Sequence, residues 1–163
     1  MPISNKLKIS VVAFVLGMSL MIPVALAQQQ YDITDCGSMT FTINSESDEL
    51  TIITFDFKGI ARSNSENKIF DSCAVFYVGV ARTTPGMSTA YGYSKYMDPD
   101  GDFTIVEVSQ VGMEREWKYI QGTGKWKGIT GAGKAFPITK GKPITPGTSQ
   151  GCTKITGTYE LKK

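Results

Sequence analysis

The chain contains no histidine among its 163 residues. This absence excludes Ser-His-Asp and Cys-His catalytic groups and histidine-rich zinc sites. Cysteine is also scarce, and the three present lie too far apart along the chain for a zinc-binding pattern, so the sequence predicts no metal site. Acid–base chemistry in this protein therefore depends on carboxylates, tyrosines or lysines with shifted pKa values.

Neither sign of charge is in large excess. The formal net charge is +2, and Lys6 and Lys8, which lie in a segment without acidic residues, account for it. The lysines of the second half of the chain are spaced out, whereas nucleic-acid-binding proteins cluster them. We expect no nucleic-acid partner.

Long apolar runs are missing after residue 27. Before that point, Lys6 and Lys8 precede an apolar run at 9–20, and Ala-Leu-Ala at 25–27 precedes Gln28, which predicts a cleavable signal peptide over 1–27. An uncleaved membrane anchor is the alternative, but Pro23 interrupts the run. We therefore expect one domain over 28–163, with no membrane span after cleavage and a periplasmic or secreted location.

Cys36, Cys73 and Cys152 would then lie in an oxidising compartment, where thiols tend to pair. Loop-closure entropy mildly favours a bond between Cys36 and Cys73, the shortest of the three possible loops. A doubled loop costs only about 0.6 kcal/mol more, so geometry is able to reverse that preference. The remaining cysteine is either buried as a small hydrophobic residue or pairs with another chain.

Short segments rich in β-branched and aromatic residues recur after residue 28, bounded by Gly, Pro, Asn, Asp or Ser. They predict strands at 39–44, 50–59, 73–82, 88–97, 102–111, 116–121, 131–138 and 153–161. The last one alternates cleanly, with Ile155, Tyr159 and Leu161 on one face. We predict an all-β fold, a single eight-stranded antiparallel barrel of calycin-like type, because closure removes exposed edges. A two-sheet sandwich is the main alternative.

A glycine-rich segment at 122–134 invites comparison with a phosphate-binding loop. From Gly128 the pattern fails at Ala135, where a phosphate-binding loop has a magnesium-ligating Ser or Thr. The following Pro137 also opposes the helix that such a loop needs. We interpret the segment as a barrel corner in which the glycines permit close backbone approach and Trp126 covers one end.

Asp98, Asp100 and Asp102 alternate as in a calcium-binding loop. An EF-hand, however, needs Gly and Glu at the positions that Phe103 and Ser109 occupy here. We expect a hairpin turn at this point.

Glu107 is the best candidate for a catalytic acid or base. If it points inward, on the face of Phe103, Ile105 and Val111, desolvation raises its pKa. The favoured alternative places Glu107 outside and Val106 and Val108 in the core.

The late strands also carry many aromatic residues. Tyr93, Trp117, Tyr119 and Trp126 are candidate ligand-binding residues at a barrel mouth, although core packing is the simpler interpretation because eight strands leave a narrow interior.

A family resemblance rests on two segments. They are Gly92-Tyr93 through Asp98-Pro99-Asp100-Gly101-Asp102, and Gly122-Thr123-Gly124-Lys125-Trp126-Lys127-Gly128-Ile129-Thr130-Gly131. Together they resemble exported bacterial proteins of unassigned function related to the allene oxide cyclase and dirigent barrels, over roughly 88–133. The resemblance implies a calycin-like barrel for an apolar or amphipathic ligand, without metal or organic cofactor, in a protein that is often a homo-oligomer.

Two hypotheses about function follow. The favoured one is an exported barrel that binds a small apolar or amphipathic molecule at its mouth. The alternative is a cofactor-free cyclase or isomerase acting on a hydrophobic substrate, so the sequence leaves open whether the protein is an enzyme. A third possibility is a structural envelope protein with a filled core. The fold analogy behind the first two is associational.

Overall fold

The computed structural model describes residues 28–161, which form β-strands joined by short turns. The strands are β1 (Gln29–Glu46), β2 (Thr51–Ser63), β3 (Ala74–Thr84), β4 (Met87–Met97), β5 (Phe103–Val111), β6 (Glu114–Gly122), β7 (Ile129–Thr130), β8 (Ala132–Lys140) and β9 (Thr148–Leu161). A short 3₁₀ turn, Gly124–Trp126, lies between β6 and β7. Within 28–161, no helix is long and apolar enough to cross a bilayer.

The strands pair antiparallel with their neighbours in the order β1-β2-β3-β4-β5-β6-β8-β9. β9 also pairs with β1, from Gln29 opposite Tyr159 to Thr40 opposite Thr148, which closes the sheet. The two-residue β7 adds to the end of β9. The described chain is thus a closed eight-stranded antiparallel barrel with one extra strand, which confirms the predicted fold and eliminates the sandwich. The signal peptide predicted over 1–27 lies outside the described residues.

β1 differs most from its prediction, because it begins ten residues earlier than expected. Its first half contains Asp32, Asp35 and Gly37, residue types that are depleted in strands. Pairing on both sides, with β2 and with β9, overrides that preference. The face that this half of β1 turns inward carries Tyr31, Ile33 and Asp35, all of them buried.

The predicted bond between Cys36 and Cys73 is wrong. Cys36 and Cys152 stand opposite each other where β1 pairs with β9, and they form the disulfide. Cys73 is a free thiol, buried in the core. Register across the closing seam of the barrel therefore outweighs the small entropic advantage of the shorter loop.

Successive turns alternate between the two ends of the barrel. One end, called here the open end, carries the β1–β2, β3–β4, β5–β6 and β8–β9 connections. The other, called the closed end, carries the segment at 64–73, the turn at 98–102 and the corner at 123–131.

Candidate functional site

The barrel encloses a cavity of about 70 Å³. Since side chains alternate along each strand, every second residue of the ring of strands points inward. Most of the lining is apolar and includes Ile33, Phe57, Val75, Val106, Val108 and Ile155. The volume exceeds what several water molecules occupy but is below the roughly 300–1,000 Å³ typical of drug-sized ligand pockets. The interior therefore suits a small ligand group rather than a large molecule enclosed entirely.

A carboxyl group lies in this apolar lining. Asp35 is only 4% exposed, and the hydroxyl of Tyr96, which reaches it from the other side of the barrel, donates to its Oδ2 at 2.6 Å. Burial raises the pKa of Asp35 to about 7, and the hydrogen bond from Tyr96 partly opposes that rise. Burial and the neighbouring Asp35 also raise the pKa of Tyr96. The Asp35 carboxyl is therefore poised between its charged and neutral forms near pH 7.

Three polar atoms of the lining have no hydrogen-bond partner among the described residues. They are Oδ1 of Asp35, Oγ of Ser94 and Nε1 of Trp117, all of them buried. Burying a polar group without a partner costs about 1–3 kcal/mol, so such groups in a native protein need an explanation. Here all three belong to residues that line the cavity. The arrangement offers an acceptor and a donor to a group inside the barrel.

Aromatic side chains line the part of the cavity nearer the closed end. Trp117 packs against Tyr31 and Tyr119, with ring centroids 5.6 and 5.1 Å away. The hydroxyl of Tyr119 donates to that of Tyr31 at 3.0 Å. Trp117 fits because Gly133 and Gly157 lie beneath its indole, where a Cβ would collide with the ring. Trp117 and Tyr119, two of the predicted ligand-binding residues, therefore line the cavity.

Phe70 forms the floor of the cavity from the segment between the predicted strands at 50–59 and 73–82. It is 4% exposed and stacks on Trp126 with centroids 4.7 Å apart. Lys68, Phe70 and Ser72 all have positive φ values, between 50° and 60°, which cost non-glycine residues roughly 1 kcal/mol or more each. Asp71 holds the segment in place by accepting from the backbone N–H of Ser63 at 2.9 Å.

Trp126 seals the closed end and does not line the cavity. Its Nε1 donates to Oδ2 of Asp98 at 2.9 Å, while Oδ1 of Asp98 accepts from the backbone N–H groups of Asp100 and Asp102. Lys125 forms ion pairs with Asp98 and Asp100, at 2.9 and 2.8 Å. The three aspartates thus hold a turn and its neighbouring corner together. In 28–161, no three carboxylate or thiol side chains are grouped in a way that could hold a metal ion.

The glycine-rich corner has the structure predicted for it. Gly124, Gly128 and Gly131 have positive φ values. A Cβ at Gly122 would collide with the backbone carbonyl of Trp126. The segment is a barrel corner with Trp126 beneath it, and the strand β8 follows it.

Glu107 and Tyr93 lie on the outer surface. Glu107 stands between the buried Val106 and Val108 and pairs with Lys118 at 2.7 Å. Its Oε2 accepts a hydrogen bond from the hydroxyl of Tyr91 at 2.6 Å, and that hydroxyl is 2.8 Å from the hydroxyl of Tyr93. Hydrogen bonds from Lys118 and Tyr91 lower the pKa of Glu107. The inward orientation considered for Glu107, with a raised pKa, is therefore wrong.

Sequence analysis missed Asp35 as the interior carboxyl. One signal was available: Tyr31, Ile33 and Asp35 alternate, so a strand that buries the first two also buries the third. Asp32, Asp35 and Gly37 are residue types depleted in strands, so the sequence did not predict a strand over this segment.

Comparison with known proteins adds a likeness of fold. No protein-family model matches the sequence, and no curated protein matches it. The structure is similar to that of a pterocarpan synthase dirigent protein, at 14% sequence identity and a TM-score of 0.48, covering 83% of this chain and 90% of the other. At this identity and TM-score the likeness says nothing about function, and the barrel rests on its own strand pairing.

Proposed function

We propose that the protein binds a small, largely apolar molecule carrying a hydroxyl or carbonyl group inside the barrel. The observation that carries this proposal is that two unpartnered polar atoms, Asp35 Oδ1 and Trp117 Nε1, lie in the lining of a largely apolar cavity. A ligand hydroxyl that donates to the first atom, or a ligand oxygen that accepts from the second, recovers the cost of their burial.

We further propose that the protein is exported to the periplasm or secreted. The segment at 1–27 supports export, and the Cys36–Cys152 disulfide is compatible with an oxidising compartment. A mature chain beginning at Gln28, detected by N-terminal sequencing of protein from the extracytoplasmic fraction, is the expected result. An intact N-terminus in the cytoplasm contradicts it.

Methyl-labelled NMR tests ligand binding with internal controls. Val106 and Val108 line the cavity, whereas Val78 and Val80 of β3 are exposed on the outside. A series of small arylalkyl alcohols should shift the methyl resonances of Val106 and Val108 and leave those of Val78 and Val80 unchanged. Replacing Asp35 with Asn should weaken binding of the alcohols. Shifts confined to Val78 and Val80, or no shifts at all, would refute the proposal.

A cofactor-free isomerase is the second candidate. Asp35 favours it, because a carboxyl whose pKa is about 7 is matched to general acid–base catalysis near neutral pH. In such a reaction Asp35 takes a proton from one carbon of the substrate and returns it to another, with no change of oxidation state. The test substrate is 3-cyclohexenone, whose conversion to the conjugated 2-cyclohexenone is followed by ultraviolet absorbance. Wild-type acceleration that Asp35→Asn abolishes and Glu107→Gln retains supports the isomerase, and equal rates in all three proteins contradict it.

A further inference from the structure

Arg115 lies at the open end of the barrel with its side chain at the cavity. It is on β6, paired with Gln110 of β5, one residue pair from the Val111–Glu114 end of the β5–β6 hairpin. Its immediate neighbours Glu114 and Glu116 are exposed, whereas Arg115 is half-buried and contributes to the cavity lining. A cationic group therefore stands where the apolar interior meets solvent.

The guanidinium of Arg115 is held in one orientation. Its Nε and Nη2 both donate to Oε1 of Gln110, at 2.9 and 2.8 Å. Gln110 is itself fixed, because its Nε2 donates to the backbone carbonyl of Gly112 at 2.9 Å. A guanidinium has five N–H donors and these contacts use two, so Nη1 and the second hydrogen of Nη2 remain for another acceptor. The side chain is thus ordered before any ligand arrives, which lowers the entropic cost of binding one.

The charge of Arg115 is not neutralised by a carboxylate. Lys118, Lys125 and Lys154 each pair with an acidic side chain, but within the described part of the chain no acidic side chain lies within ion-pairing distance of Arg115. Its field extends into the barrel: burial raises the pKa of Tyr77, a residue of the cavity lining, and the nearby charge of Arg115 opposes that rise. The carboxyl of the cavity, Asp35, is bonded to Tyr96 instead.

We propose that Arg115 is an anion-binding residue and that the barrel takes a small amphipathic monoanion, with its largely apolar body and that body's hydroxyl or carbonyl group inside and its carboxylate at Arg115. This inference rests on the proposed binding function and names the class of its ligand. An arylalkyl carboxylate has the required chemistry, because aromatic and aliphatic side chains contact its body and the guanidinium fork matches its two oxygens. Because the carboxylate stays at Arg115, at the open end, only the body of such a molecule has to fit inside the cavity.

The experiment compares two probes that differ only in the head group. Binding of 4-phenylbutyrate and of the neutral 4-phenylbutan-1-ol is measured by titration calorimetry on wild type, Arg115→Gln and Lys118→Gln. Lys118 is the matched control, because it lies three residues further along the same strand and points outward. Wild type should bind the carboxylate on the order of tenfold more tightly than the alcohol, the typical gain for a charge-assisted hydrogen bond. Arg115→Gln should remove this difference without weakening binding of the alcohol, and Lys118→Gln should retain it.

The outcomes separate this inference from the binding function itself. Equal binding of both probes by wild type, or an unchanged preference in Arg115→Gln, overturns the role of Arg115 while binding in the barrel stands. Binding of neither probe overturns both. If Arg115→Gln fails to fold, salt dependence in wild type replaces it: added salt should weaken binding of the carboxylate and not of the alcohol, and equal salt dependence overturns the inference.

Discussion

At the closed end of the barrel Phe70 and Trp126 stack 4.7 Å apart above a carboxylate, Asp98, both of whose oxygens accept hydrogen bonds. At the open end the guanidinium of Arg115 donates to a single oxygen, Oε1 of Gln110, and three of its five N–H groups remain free for another acceptor. Between the two ends, Asp35 has one bonded and one unpartnered oxygen. A fully hydrogen-bonded carboxylate and stacked rings stabilise the closed end, whereas Asp35 Oδ1 and the free N–H groups of Arg115 lie at the cavity, where a ligand could reach them.

The largest expected effect is the loss of stability caused by a substitution at the closed end. Phe70→Ala removes a buried ring that contacts several aromatic side chains, so we expect the free energy of unfolding to fall by about 3–5 kcal/mol. Met39→Ala, in the cavity lining but only half-buried, should cost less than half as much. Urea denaturation of both variants measures the difference. Equal losses would show that Phe70 contributes no more to stability than a half-buried residue of the cavity lining.

The next effect concerns the pH dependence of stability. Asp35 has a pKa of about 7 in the folded protein against 3.8 as a free side chain, so between these values the folded state binds more protons than the unfolded state. The free energy of unfolding should therefore fall as pH rises from about 4 to about 7, by up to about 4 kcal/mol, and should then level off. Asp35→Asn should flatten this dependence in urea titrations at several pH values. A dependence that persists in Asp35→Asn would assign it to other groups.

Asp98 is the contrasting buried carboxyl. Burial alone would raise its pKa, but hydrogen bonds from Lys125 and Trp126 lower it instead, so its contribution to stability is present above its unfolded pKa and is lost as pH falls through the lower folded value. Asp98→Ala leaves Trp126 Nε1 and two backbone N–H groups without an acceptor and should cost about 2–3 kcal/mol. Asp100→Ala, which removes an exposed partner of Lys125, should cost less than about 1 kcal/mol. Thermal denaturation at pH 7 compares them, and similar losses would argue against the closed-end network.

The smallest expected effect is that of a substitution on the outer surface of the barrel. Glu107→Gln breaks a surface ion pair with Lys118, and exposed pairs of this kind contribute little to stability. We expect no measurable change in Tm or in binding of an arylalkyl alcohol. A clear loss of binding would show that the outer surface takes part in ligand recognition.

Strand alternation and turn residues were enough to predict that the ring has eight strands, although not the first half of β1, because each strand buries one face and each turn needs Gly, Pro or Asp. The same signals predicted the corner at 122–134. They could not predict which face of β5 is inside, since Phe103, Ile105 and Val111 alternate with Val106 and Val108. Only the position of β5 within the closed barrel shows that Glu107 is on the outer surface.

The interior site depended on contacts between distant parts of the chain. Tyr96 reaches Asp35 across the barrel, 61 residues along the sequence, and Phe70 enters the floor from a loop without strand character. Arg115 carries no sequence signal that separates it from other basic residues; its pairing with Gln110 places it at the mouth.

The sequence by itself determined that this is an all-β barrel with a glycine-rich corner and without histidine chemistry, because those properties follow from local periodicity, turn conformation and composition. Only the tertiary structure decided the Cys36–Cys152 bond, the inward position of Asp35 and the outward position of Glu107. The physical reason is that barrel closure joins β1 to β9 and sets one register around the ring, and this register determines which side chains meet and which are removed from water.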